Sequence, residues 1–113
     1  MLWFRRRSVI IPAMQQNQRI LEAIALQKCI KANYNRTTIK IAPHIMYKRH
    51  DALFVDAVTL EREGQAPREI KLGSFKLDGL RDLELVGHTF QPASLFNPAD
   101  PKYEGGTVFA VEV

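Results

Sequence analysis

This chain is short of the features that most often betray an activity. It has a single cysteine, Cys29, so no internal disulfide can form, and a reducing, cytoplasmic setting is the expectation. No neighbouring base marks Cys29 as a nucleophile, and it reads as a structural thiol. The three histidines, His44, His50 and His88, show neither H-x-x-x-H nor H-x-x-E-H spacing. With one thiol they complete no usual zinc set. The glycines at 73 and 79 build no phosphate loop, and Gly105-Gly106 precedes no helix, so it reads as a hinge. These absences argue against an enzyme, a metal and a cofactor. The apolar stretch Ser8–Met14 is too short for a membrane span or a secretory core, and the arginines follow the first apolar residues instead of preceding them. No membrane partner is expected.

Acidic residues are missing from the start: none precedes Glu22, while Arg5, Arg6 and Arg7 fall together. Residues 1–16 therefore read as a basic, flexible arm, or as sequence upstream of a true start at Met14, and residues 17–113 as the domain. The net charge of +4 owes most to that arm, since from Met14 onward thirteen bases face twelve acids. Between Glu22 and Asp51 there are six bases and no acid, whereas residues 51–113 hold eleven acids and six bases. Such asymmetry orients an anionic partner.

The hydrophobic pattern changes period near Lys28. Asn17 is placed to cap a helix through Gln27, with Ile20, Leu21, Ala23, Ile24 and Ala25 as a broad apolar surface and Leu26 widening it. Beyond it, Ile30, Ala32 and Tyr34 alternate with Lys31 and Asn33, as in a strand. Asn35-Arg36 turns the chain into Thr37–Ala42, Pro43 breaks or borders the ladder, and His44–Arg49 continues extended. His50-Asp51 turns into Ala52–Leu60, whose continuous apolarity suits a central strand, with Asp56 the exception. Glu61–Pro67 is a polar hairpin loop, Arg68–Leu77 a strand with a bulge expected at Gly73, and residues 82–86 a further short strand. Gln91–Gly106, with three prolines, wraps around an anchor at Phe96 or Tyr103, and Thr107–Val113 is expected to close the sheet. The sum is a mainly β fold with one N-terminal helix, a small Sm-like or SH3-like β-barrel of about five strands.

Several segments, in order, resemble the WYL domain, a bacterial Sm-like barrel. They are Ile20–Ile24 leading into Tyr34, Ile41-Ala-Pro-His44 followed by Tyr47, Phe75-Lys-Leu-Asp-Gly-Leu80, Phe90-Gln-Pro92 and the terminal Thr107–Val111. The likeness spans roughly residues 18–113. It departs at Leu53-Phe54-Val55, where the family has Trp-Tyr-Leu, and at Gly73 and Gly79, where arginines are expected. It implies a regulatory ligand-sensing domain of transcriptional control, some members of which respond to nucleic acid. Such domains usually follow a DNA-binding winged helix, for which this chain has no room, so a separate DNA-binding partner protein is one expectation.

Cations converging beside an aromatic platform hold anions and bases. Lys40, Lys48 and Arg49 come from one extended region and Lys71 and Lys76 from another. Tyr47 and His44 are candidates for stacking or hydrogen bonding. The resemblance places Lys76 and Lys71 first. The competing expectation is that these lysines only solvate a barrel whose inside holds Tyr34 and Tyr47. The ligand class is a small anion or single-stranded nucleic acid. The alternative function is assembly, as a homo-oligomer or with a partner protein, through exposed edge strands.

Overall fold

The computed structural model describes residues 12–113, in side-chain detail from Gln16 onward. The arginine run Arg5–Arg7 lies outside the described residues. Helix α1 (Pro12–Leu26) begins earlier than the Asn17 cap implies. Proline is well placed in a first helical turn, where its missing N–H forfeits no bond, and residues 12–16 are helical. Ile20, Ala23 and Ile24 recur at helical spacing and are buried. Leu26 is 53% exposed, so one narrow face packs and the broad coverage expected of this helix is not found. Gln27 leaves the helix at φ 54°. Its carbonyl accepts the Phe90 N–H at 2.9 Å and its side-chain amide donates to the Phe90 carbonyl at 3.0 Å.

Six strands follow: β1 (Lys28–Tyr34), β2 (Thr37–Arg49), β3 (Ala52–Arg62), β4 (Leu72–Lys76), β5 (Arg81–Thr89) and β6 (Thr107–Ala110). Asn35-Arg36 and His50-Asp51 turn where the sequence predicts, and Glu63-Gly64 makes a third two-residue turn. All six turn residues have positive φ, the twist that a tight hairpin of right-twisted strands requires. The strand expected over Arg68–Leu77 is confined to Leu72–Lys76. It pairs with β3 in unbroken register from Phe54↔Lys76 to Val58↔Leu72, without a bulge at Gly73. The ladder shifts instead near Pro43, between Pro43 and Ile45 on β2.

The sheet is antiparallel and runs β4-β3-β2-β1-β5, with β6 attached to β2. It is not closed. The terminal segment, expected to seal a barrel, pairs through Ile45↔Ala110, Met46↔Phe109 and Tyr47↔Thr107. The cause is the length of β2, at thirteen residues. Strand β1 occupies its edge only from Thr37 to Ile41, and β6 takes the remainder of the same edge. Across the gap between the two ends of the sheet reaches Tyr34. Its ring meets Phe75 edge-on at 5.1 Å, and its hydroxyl accepts the Lys76 N–H at 3.4 Å. The 3-10 turn Leu77–Gly79 joins β4 to β5, and a Cβ on Gly79 would stand 2.8 Å from Tyr34 Cε1. Glycine thus stands at 79 because the tyrosine ring fills the space.

Apolar side chains from α1 and from β1 to β5 meet in one main core, which Phe96, Tyr103 and Val111 complete from the C-terminal segment, with Ala110 of β6 packed against it. At roughly 1.5–3 kcal/mol for each large aliphatic or aromatic residue removed from water, this burial is the main term favouring the fold. The wrapping segment 91–106 is anchored by both expected residues, Phe96 and Tyr103. A side chain at Gly106 would collide with the Lys48 carbonyl. The glycine pair is therefore a close crossing of backbones and not a hinge.

Candidate functional site

The seven residues singled out from sequence do not gather on one wall. Lys48 and Arg49 lie beside the His50-Asp51 turn, and Lys76 is paired with Phe54, two residues along β3 from that turn. Lys40 sits opposite Glu61 at the far end of β3, its ammonium 3.9 Å from the Glu61 carboxylate. Eight residues of strand separate Lys40 from Lys48, on the order of 25 Å. Lys71 belongs to Lys40's end, just ahead of β4. Tyr47 and His44 are 1% exposed and offer nothing to a ligand, because both faces of β2 are covered at that point.

Tyr47 instead belongs to a buried polar cluster centred on Asp56, the buried acid of β3. Asp56 Oδ1 accepts the Tyr47 hydroxyl at 2.7 Å and the Ser74 hydroxyl at 2.6 Å. Its Oδ2 accepts the Tyr103 hydroxyl at 2.6 Å and the Lys102 ammonium at 2.8 Å. Residues from β2, β3, β4 and the 3-10 turn Pro101–Tyr103 thereby meet on one carboxylate. Burial pushes the Asp56 carboxyl up, yet the bonds from Lys102, Ser74, Tyr103 and Tyr47 outweigh it and hold the group below its ordinary value. Burial, then the bond to the Asp56 carboxylate, drives the Tyr103 phenol far above its usual range. Burial also opposes the charge on Lys102, but the Asp56 bond and charge prevail and raise its value. Lys102 is thus a fixed cation that clamps the wrapping segment to the sheet.

His44 fastens the same segment elsewhere. Its Nε2 lies 2.9 Å from the Ala93 N–H, which can only donate, so the proton sits on Nδ1 and is given to the Ala42 carbonyl at 2.8 Å. Phe90 and Phe96 flank the ring, at centroid distances of 5.0 and 5.2 Å. Burial lowers the imidazole's affinity for a proton, against the opposing pull of the Ala42 bond. Cys29 is buried as well, and burial raises its thiol despite the charge of Lys40, which suits the structural role expected of it.

The feature that sequence reading missed is a groove of about 590 Å³ lined by the end of β3 at Arg62, the segment 65–69 with Lys71, and the facing parts of β1 and β4. Tyr34, Gly73, Ser74 and Phe75 form its floor, and Arg62, Arg68 and Lys71 its basic rim, beside Glu69. Among the described residues none of these three cations has a carboxylate within 4.0 Å. Tyr34 keeps its own proton to donate, since its hydroxyl accepts from Lys76. Ser74 stands at the boundary of both sites, lining the groove while bonded to Asp56. Arg62 and Arg68 are sequence-local to a polar loop, and nothing in their spacing distinguishes them from solvated surface charge. Only the fold brings Tyr34 and Ser74 beneath them.

Comparison with protein-family models, with curated proteins and with solved structures finds no match for this chain. Among the described residues no three His, Cys, Asp or Glu side chains stand together as a metal-binding group. No helix among them is long and apolar enough to cross a membrane.

Proposed function

We propose that this chain is a non-enzymatic binding module that captures an anionic, phosphoryl-bearing ligand in the groove under Arg62, Arg68 and Lys71. The observation that carries this is the state of the charges. Three cations line one concavity together with Tyr34, and among the described residues none of them has a carboxylate within 4.0 Å. Unpaired guanidinium groups recognise phosphate oxygens in bidentate fashion, and a ligand there would replace water on charges that the fold itself leaves free. Of the residues chosen from sequence, Lys71 is the one that belongs to this groove; Lys76, Lys40, Lys48 and Arg49 stand outside it. A Ser74–Lys102 hydrolytic pair is disfavoured by the Asp56 bonds, because Lys102 is held protonated and cannot take the serine proton. A regulatory role, cytoplasmic and in transcriptional control, follows from the WYL resemblance and belongs to the same proposal. What supports the Sm-like class is the strand order β4-β3-β2-β1-β5 with a 3-10 turn between β4 and β5.

Calorimetric titration with pyrophosphate and with nucleoside diphosphates at low salt tests this. Binding should weaken at least tenfold in Arg68→Glu combined with Lys71→Glu, and log affinity should fall as log salt rises. Titrations that stay flat for all these anions would sink the proposal.

A second reading, assembly through edge strands, is favoured by a difference among the edges. Strand β4 carries Lys76 and follows Lys71, and β5 carries Arg81, Asp82 and Glu84. The four residues of β6 bear no charge, and Val108 and Phe109 are exposed. Charged edges resist pairing with another chain and uncharged ones invite it. A mass twice that of the 12.9 kDa chain, reverting to monomer in Val108→Lys, is the result this reading requires.

A further inference from the structure

A second recess of about 560 Å³ includes Gly79, the glycine that lies against the Tyr34 ring. Asn33, Asn35 and Arg36 of the first hairpin line it, together with Gly79, Arg81 and Asp82 at the entry to β5. Asp82 is engaged, accepting the Asn33 side-chain amide at 2.9 Å. Neither Arg36 nor Arg81 has a carboxylate within 4.0 Å among the described residues. The contact between Tyr34 and Gly79 links the linings of the two recesses. Tyr34 forms floor in the first, Gly79 lines the second, and the ring lies so close to Gly79 that a single methyl would strike it.

From this arrangement we infer that the ligand is a linear phosphate chain laid across Tyr34, with anionic groups in both recesses; the inference rests on the groove being an anion site. A lone phosphate or a diphosphate fills one recess and leaves the arginines of the other unused. A chain of regularly spaced phosphates satisfies Arg62, Arg68 and Lys71 on one side and Arg36 and Arg81 on the other. The Tyr34 ring has Gly79 against it and Phe75 packed edge-on, so it is not an open platform for base stacking. Recognition is therefore of the backbone, without base preference. Inorganic polyphosphate and the backbone of a single-stranded oligonucleotide share this chemistry.

The test uses the full chain with three probes: pyrophosphate, long-chain polyphosphate and single-stranded oligonucleotides of differing base composition. Arg36→Glu with Arg81→Glu should leave pyrophosphate binding unchanged. The same pair should cut long-chain affinity at least tenfold and reduce the salt slope by about one to two. Arg81→Glu alone, which leaves the Asn35-Arg36 turn intact, should move long-chain affinity in the same direction. Arg62→Glu with Arg68→Glu should weaken all three probes. Whichever of polyphosphate and oligonucleotide binds more tightly names the source of the chain. If long-chain binding ignores the Arg36 and Arg81 changes but fails in the Arg62 and Arg68 pair, the two-recess inference falls and the groove survives. An oligonucleotide preference of tenfold or more for one base also overturns it. If pyrophosphate binding is absent, or persists in the Arg62 and Arg68 pair, the groove itself is wrong.

Discussion

Two polar regions share Ser74 and could hardly differ more in how they treat charge. Around Asp56 each carboxylate oxygen accepts two bonds, and no buried polar side-chain atom among the described residues lacks a partner. In the neighbouring groove, among the described residues, none of Arg62, Arg68 and Lys71 has a carboxylate within 4.0 Å. A satisfied buried charge is spent on architecture, since breaking it leaves its partners stranded in a medium of low dielectric. An unsatisfied exposed charge adds little to the fold and remains free to meet a ligand. The type of residue therefore says less about its task than what already surrounds it.

The sharpest way to break this contrast is Asp56→Ala. It leaves the buried Tyr47 and Tyr103 hydroxyls without their acceptor and the partly exposed Lys102 without its partner, and should cost about 3–5 kcal/mol in urea unfolding, while Arg68→Glu should leave the urea midpoint in place. Equal effects from the two changes would erase the distinction. Gly106→Ala comes next, at roughly 3 kcal/mol or somewhat less, because a backbone carbonyl and not a movable side chain occupies the space. Gly79→Ala should cost about 1–3 kcal/mol, since the Tyr34 ring is wedged and must shift. That shift should also weaken pyrophosphate binding, a loss expected of no substitution in the Asp56 cluster that leaves Ser74 in place.

Acid separates the regions more gently. His44 binds its proton less readily folded than unfolded, so the unfolded chain takes up more protons and stability falls as pH drops below about 6.5. Asp56 follows the same sign lower down. Its contribution is complete above its ordinary value near 3.8 and is lost as pH falls through the depressed folded value. Urea midpoints measured from about pH 7 to about pH 5 should decline in the wild type and flatten in His44→Gln. A wild-type midpoint that is constant over that interval would remove His44 from the account.

Much of the frame was legible because it is local. Alternation placed β1 and the two halves of β2, and the polar pairs Asn35-Arg36 and His50-Asp51 placed two turns. Leu26 misled the reading of α1, since an apolar residue near a helix end can remain in water at little cost. Asp56 stood out as an anomaly, but its partners Tyr103 and Lys102 lie 47 and 46 residues away, and no periodicity connects them. The groove was illegible for the same reason. Arg62 and Arg68 flank a loop tip, and their meaning depends on Tyr34 arriving from the opposite end of the sheet. Tyr47 illustrates the reverse error. Its place beside lysines on a strand made it a candidate platform, while β2 proved to be covered on both sides there.

The sharing of one edge of β2 between two strands carries a consequence for synthesis. Until Thr107–Ala110 emerges from the ribosome, the amides and carbonyls around Ile45–Tyr47 stand bare on an apolar ribbon, a ready template for a neighbour's strand. Fusion or truncation that delays or removes Thr107–Ala110 should therefore show first as insoluble protein, before any loss of ligand can be measured.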